Sequence, residues 1–209
     1  MENYTELVFL LDRSGSMAGL EKDTVGGFNA MLKKQALQPG KILVTAVLFD
    51  HQRQVLYDRR ELSQVRPMTE QDYWVRGSTA LLDAVGETVR ITRNHQARDP
   101  AERTIFVITT DGLENASTRY TRPQVRAMIE DCPESWEFLF LGANMDAGEQ
   151  GGSLGIRQEN TATCCNDSRG VALNYEAVGD AILEARCACA PISGGWKEKI
   201  DRDFRSRGK

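Results

Sequence analysis

Four apolar runs without alternation, Leu7 to Leu11, Ile42 to Phe49, Ile105 to Ile108 and Phe138 to Leu141, set the fold class of this chain. A strand with one wet face alternates apolar and polar residues, whereas a continuous run reads as a strand covered on both faces, the condition of a parallel sheet between layers of helix. Helical spacing fills the intervals: Val25, Phe28 and Leu32, then Leu81, Leu82, Val85 and Val89, then Val125, Met128 and Ile129. Val171, Tyr175, Val178 and Ile182 mark a last long helix. One connection breaks the alternation, because Asp50-His51-Gln52-Arg53 is too short for a crossover and leads into Gln54 to Tyr57, an antiparallel edge strand. The expectation is an α/β, doubly wound, mostly parallel sheet of order 3-2-1-4-5-6 with helices on both faces.

At 209 residues the chain suits one ample domain, expected over residues 1–190, with 191–209 as a charged tail forming a short helix or a frayed end. Asp146 to Cys165, rich in Gly, Thr and Asn, gives no clear element boundary. Gly26-Gly27 inside the first helix costs up to about 1 kcal/mol per glycine relative to alanine, which calls for close backbone packing or a kink there. The formal net charge of -4, with Lys and Arg spread along the chain, gives no electrostatic footprint for nucleic acid or an anionic membrane. The first apolar run is too short for a signal peptide or membrane span and has no basic start, so a cytoplasmic protein is expected. Five cysteines, among them Cys164-Cys165 and Cys187-Ala188-Cys189, lack a zinc-knuckle spacing and read as reduced thiols.

Chemistry concentrates in three segments. Asp12-Arg13-Ser14-Gly15-Ser16 follows the first run directly, and Gly77-Ser78-Thr79 and Thr109-Thr110-Asp111-Gly112 carry further side-chain oxygens. Singly these have ordinary explanations: a polar turn after a strand, a helix N-cap at Ser78 or Thr79, a second turn. Their placement says more. Asp12 ends the first strand, Asp111 ends the strand after the second major helix, and Thr79 opens that helix. In the order 3-2-1-4-5-6 the first and fourth strands are neighbours at the topological switch point, where ligands bind beyond the carboxyl ends. Strand spacing of about 4.8 Å brings both aspartates within reach of one ion. An all-oxygen set without His or Cys suits Mg²⁺, Mn²⁺ or Ca²⁺ better than Zn²⁺ or copper.

The pattern resembles the metal-ion-dependent adhesion site (MIDAS) of the von Willebrand factor type A (vWA) domain family, Asp-x-Ser-x-Ser, then a distant Thr, then a distant Asp. All five positions are matched, by Asp12, Ser14, Ser16, Thr79 and Asp111, and the flanking residues are similar to those of bacterial intracellular members. By element order the resemblance runs from about Glu6 to about Arg186. It implies that the two serines and the threonine contact the metal directly and the aspartates act through water. Neutral hydroxyls leave the ion's charge partly compensated, so an open position remains for an Asp or Glu of a partner protein, with Mg²⁺ the first choice and Mn²⁺ or Ca²⁺ alternatives. The implied function is a protein-interaction adaptor or scaffold. Settings implied by intracellular relatives are AAA-type ATPases, metal-chelatase subunits, and stress or tellurium-resistance systems alongside phosphatases and kinases. Integrin-type relatives further imply that the Thr79 to metal bond is coupled to movement of the last helix, here Tyr175 to Arg186; equal Thr79 to metal distances in ligand-bound and free forms would exclude this.

Loops at the same sheet end should form a rim: Tyr73, Trp74 and Arg76 before Thr79, Glu114 and Asn115 after Asp111, and Asn144 after the fifth strand. Aromatic and Arg side chains there suit partner contacts, or Tyr73 and Trp74 simply cover a helix end. Glu114 is near enough to Asp111 to compete for the open coordination position. His51 and His95 are expected in solvent, and Asp83 with Glu87 as an exposed acidic face. The alternative function is a Mg²⁺-dependent phosphoryl hydrolase on a similar sheet. Aspartyl-phosphate enzymes place a second carboxylate two residues after the nucleophile, and Ser14 stands there instead. With only Gly15 and Gly19 in the first turn, neither a dinucleotide fingerprint nor a phosphate loop is present.

Overall fold

In the computed structural model, which describes residues 3–207, the four apolar runs lie within β1 (Tyr4–Asp12), β2 (Lys41–Phe49), β4 (Arg103–Thr110) and β5 (Trp136–Ala143). Met1 and Glu2 of the N-terminal segment, and Gly208 and Lys209 of the charged tail, lie outside the described residues. The hairpin expected after β2 is present, with β3 (Arg53–Glu61) antiparallel at the edge. The segment without a clear boundary contains a helix and the last strand, β6 (Thr161–Cys164). The sheet runs β3-β2-β1-β4-β5-β6, parallel except for the β2-β3 pair.

Helices α1 (Glu21–Gln35), α2 (Leu81–Gln96), α3 (Arg122–Glu130), α4 (Ala147–Ser153), α5 (Ser168–Ala188) and α6 (Glu198–Arg207) cover both faces. Successive side chains of a strand point to opposite faces, so β1 feeds two cores at once. Leu7, Phe9 and Leu11 pack with α1, α5 and α6, while Val8 and Leu10 pack with α2, α3 and α4. On the first face the Phe9 ring meets Phe28 of α1 edge-on at 5.2 Å. The boundary expected at residue 190 does not separate packed from unpacked chain, because Ile192, Trp196 and Ile200 are buried in the α1/α5 core. α6 is amphipathic, and its apolar side finds the space beside β6 that a charged composition concealed. Among the described residues no helix is long and apolar enough to cross a membrane.

The paired glycines of α1 divide in role. A Cβ on Gly27 would overlap the Tyr175 ring of α5, while one on Gly26 would meet nothing within 4 Å. Gly27 is therefore where the two helices approach, and Gly26 carries only its helix penalty. Gly27→Ala should destabilise the chain by about 1–3 kcal/mol, and Gly26→Ala should stabilise it by about 0.5–1 kcal/mol. Urea melts of the two variants check this, and equal effects would contradict it.

Candidate metal centre

β1 and β4 run side by side in register from Thr5 against Arg103 to Leu11 against Thr109, so Asp12 ends opposite Thr110 and the loops that follow share one space. Asp12 is buried, with Oδ2 accepting from Thr110 Oγ1 at 2.6 Å and Oδ1 accepting from the Ser14 amide at 2.7 Å. The amide bond turns the chain back after β1 and sets the Ser14 and Ser16 hydroxyls 3.0 Å apart. Ser16 Oγ donates to Asp111 Oδ1, whose second oxygen accepts from Asn166 Nδ2 at 3.0 Å. Thr79 reaches the same point from the loop before α2. A Cβ placed on Gly112 would stand 2.9 Å from Thr79 Oγ1, 3.3 Å from Ser16 Oγ and 3.8 Å from Ser14 Oγ. Three hydroxyls from two distant loops thus surround one small space that a glycine leaves open, with two carboxylates beside them.

The loop carrying Thr79 is fixed by backbone rather than by its side chain. Thr79 N donates to Asn115 Oδ1 at 2.9 Å, and Thr79 O accepts from the Asn115 and Ala116 amides at 3.0 and 3.2 Å. Ala80 N donates to Asp50 O at 2.8 Å, Arg76 N to Arg13 O at 2.9 Å, and Gly15 N to Gly77 O at 3.1 Å. Gly77 has φ +67 with the His51 imidazole against its Cα, so only glycine fits this crossing of the two loops.

Electrostatically the centre is acidic, and both its aspartates are buried. Burial pushes the Asp12 and Asp111 carboxyls above their ordinary range, against hydrogen bonds from Thr110 and Ser14 on the first and from Ser16 and Asn166 on the second. Neither takes a Lys or Arg among the described residues. A divalent cation in the hydroxyl-lined space would supply the positive charge both lack, and the oxygen-only donor set fits a hard ion. Because both Asp12 oxygens are already held by protein donors, that residue is better arranged to orient a ligand or a water than to bind metal itself. Among the described residues no group of three or more His, Cys, Asp or Glu side chains is placed to hold a metal, and all five cysteines are free thiols. Burial raises the Cys164 thiol to about 11, which makes it an inert one.

Several rim expectations change. Tyr73 is buried, not on the rim, and its hydroxyl donates to Asp12 O from beneath the site. Asn115 braces Thr79. Glu114 does not face the coordination position: it accepts from the Leu82 amide at 2.9 Å, capping the first turn of α2, and from the Ala116 and Ser117 amides at 2.9 and 2.7 Å. Glu114→Ala should therefore lower stability by about 1–2 kcal/mol, as lost caps do, and leave metal affinity within about twofold. A calorimetric metal titration with a thermal melt separates these; tighter metal binding would restore the competition idea. Asp83 and Glu87 are no free acidic face, since Asp83 accepts from the amides of Thr118, Arg119 and Tyr120, and Glu87 from Arg90, Arg119 and the Tyr120 hydroxyl. Trp74 is exposed, with the partly exposed Arg76 guanidinium over its ring. Asn144 is exposed in a left-handed conformation, beside a cleft shared with Asn166 and Arg207. His51 is half-exposed with Nδ1 3.2 Å from Asp50 Oδ1, and His95 lies 3.9 Å from Asp58.

Three site residues escape a motif search. Thr110 adjoins Asp111 and its hydroxyl would be found by asking which strand end faces Asp12. Asp50 directly follows β2 at the same end of the sheet, so the topology that located Asp12 also locates it. Asn166 sits in the β6 to α5 loop, where no periodic signal exists.

The fold is that of vWA domains. Solved structures with this architecture include the vWF domain of the type V pili tip protein Mfa5 from Porphyromonas gingivalis, with a TM-score of 0.59 and 11% identity, covering 88% of this chain and 96% of that one. Proximal thread matrix protein 1 from the mussel byssus, with a zinc-occupied MIDAS motif, has a TM-score of 0.59 and 12% identity over 90% of this chain and 47% of that one. A von Willebrand factor type A structure from Catenulispora acidiphila has a TM-score of 0.57 and 14% identity over 86% of this chain and 42% of that one. The chain thus spans about half the length of the mussel protein and less of the Catenulispora one. At such identities the likeness is one of fold. No family model and no curated protein matches the sequence.

Proposed function

We propose that this chain is a Mg²⁺-dependent protein-interaction module, an adaptor or scaffold, whose ion is completed by an Asp or Glu of a partner protein. The observation that carries the reading is the convergence of the Ser14, Ser16 and Thr79 hydroxyls on the space beside Gly112. When bound, the ion supplies an electrophilic position for an external carboxylate. The chain's own residues do the rest. Ser14, Ser16 and Thr79 would offer direct ligands, Asp12 and Asp111, which hold the Ser14 amide and the Ser16 hydroxyl, would act through water, and Asn115 fixes the Thr79 backbone. Mg²⁺ tolerates few protein ligands, which favours it, with Mn²⁺ or Ca²⁺ as alternatives. The zinc in the mussel protein's motif makes Zn²⁺ a competitor to include in any titration.

A Mg²⁺-dependent phosphoryl hydrolase is opposed by Asp12 itself, which is 1% exposed and has both oxygens engaged, leaving no free nucleophile. Phosphatase turnover with Mg²⁺ or Mn²⁺ that Asp12→Asn abolished would overturn the adaptor reading. The setting proposed is cytoplasmic, with an AAA-type ATPase or a stress-resistance component presenting the acidic residue. Immobilised protein should capture that partner in Mg²⁺ and release it in EDTA; recovery indifferent to chelation would contradict the proposal.

A further inference from the structure

Beside the metal centre stands a charged and aromatic cluster that holds none of the three hydroxyls. Asp50, fully buried, accepts from Arg13 Nε at 2.8 Å and from Arg76 Nε at 2.9 Å. Burial alone would raise this carboxyl, but hydrogen bonds from Arg76 and the Gln52 amide, with the Arg13 charge, hold it below its ordinary range. Two guanidiniums on one carboxylate leave an excess positive charge. Arg13 is buried, so the charge is presented by Arg76, whose side chain is 33% exposed. Its Nη2 donates to Gln52 Oε1 at 2.8 Å, and its Nη1 has no partner among the described residues. Trp74 is the indole over which both cations lie, Arg76 at 4.4 Å and Arg13 at 5.2 Å from the ring centre, yet it stays 43% exposed. A large aromatic in solvent with a cation pinned on it has the composition of a binding hot spot.

Distance ties this cluster to the ion. Arg76 precedes Thr79 by three residues, which limits the separation of their Cα atoms to about 11 Å. An extended peptide advances about 3.3 Å per residue, so a side chain two or three residues from a metal-bound carboxylate falls within reach of Arg76. With the ion offset by Asp12 and Asp111, the Arg13–Asp50–Arg76 cluster keeps one positive charge, and its exposed Arg76 end complements an anion.

On the metal-dependent reading above, we propose that the partner segment carries a second carboxylate, two or three residues from the one on the ion, which Arg76 Nη1 receives while Trp74 packs against the intervening backbone. The recognised feature is a closely spaced pair of acidic residues, rather than one.

Synthetic peptides test this, with one Asp, or with Asp and Glu two apart, in an otherwise glycine background, titrated at low salt into ¹⁵N-labelled protein saturated with Mg²⁺. The two-acid peptide should bind about five- to tenfold more tightly, as expected for a charge pair on a preorganised rim, and should shift the Trp74 indole signal. That ratio should fall toward one in Arg76→Gln and be reduced in Trp74→Ala, which removes the ring while leaving both arginine side chains bonded to Asp50. Equal affinities for the two peptides, or a preference surviving both substitutions, overturn the proposal. Failure of the metal reading looks different: Mg²⁺ alone would then leave the Ser14, Ser16 and Thr79 amides unmoved.

Discussion

Gly112→Ala will abolish divalent-cation binding while the chain stays folded. The added methyl would lie 2.9 Å from Thr79 Oγ1 and 3.3 Å from Ser16 Oγ, inside the space the three hydroxyls surround. Gly112 is not among the residues with positive φ, so the backbone accepts alanine there. Mg²⁺ affinity should fall at least about 100-fold, since an octahedral ion with short bonds has no room to move aside. Calorimetric titration gives the affinity, and circular dichroism the fold. Normal metal binding by folded Gly112→Ala would mean that the ion does not sit between these hydroxyls.

Ser14→Ala combined with Ser16→Ala removes ligands instead of space. Two of three neutral donors disappear, and Mg²⁺ binding should become undetectable. The cost to the metal-free fold is that of the Ser16 bond to Asp111 and the Ser14–Ser16 hydroxyl bond, about 0.5–1.5 kcal/mol each, because the amide bond from Ser14 to Asp12 is made by backbone. Ligand linkage supplies the readout. At a Mg²⁺ concentration 100 times the dissociation constant the wild type should gain about 2.7 kcal/mol, or roughly 5–10 °C in Tm for a chain of this length. The double variant should show no Mg²⁺-dependent rise; an equal rise in both would place the ion elsewhere.

Most of the architecture was legible because strand burial and crossover rules leave few alternatives. Leu7 to Leu11 lacks alternation because β1 feeds two cores, which marks it as a strand covered on both faces, and the helical stretches between such runs point to parallel crossovers. The site was legible for a related reason: a sheet of this order brings the ends of β1 and β4 together whatever their separation in sequence. What stayed hidden depends on contacts that leave no periodic trace. Glu114 looked like a rival ligand from its nearness to Asp111, but the unsatisfied amides at the start of α2 claim it. Tyr73 looked like a rim aromatic, yet its hydroxyl finds the Asp12 carbonyl and its ring joins the core. Ile192, Trp196 and Ile200 are too sparse among charges to announce a buried face. In each case a tertiary partner decided what local pattern left open.

The most direct test is a crystal grown with Mn²⁺ and measured at the manganese absorption edge. A single anomalous peak bounded by the side-chain oxygens of Ser14, Ser16 and Thr79, with Asp12 and Asp111 behind water molecules, is the expected result. A peak lined by other residues, or no peak at saturating Mn²⁺, would contradict a metal-dependent interaction site at this end of the sheet.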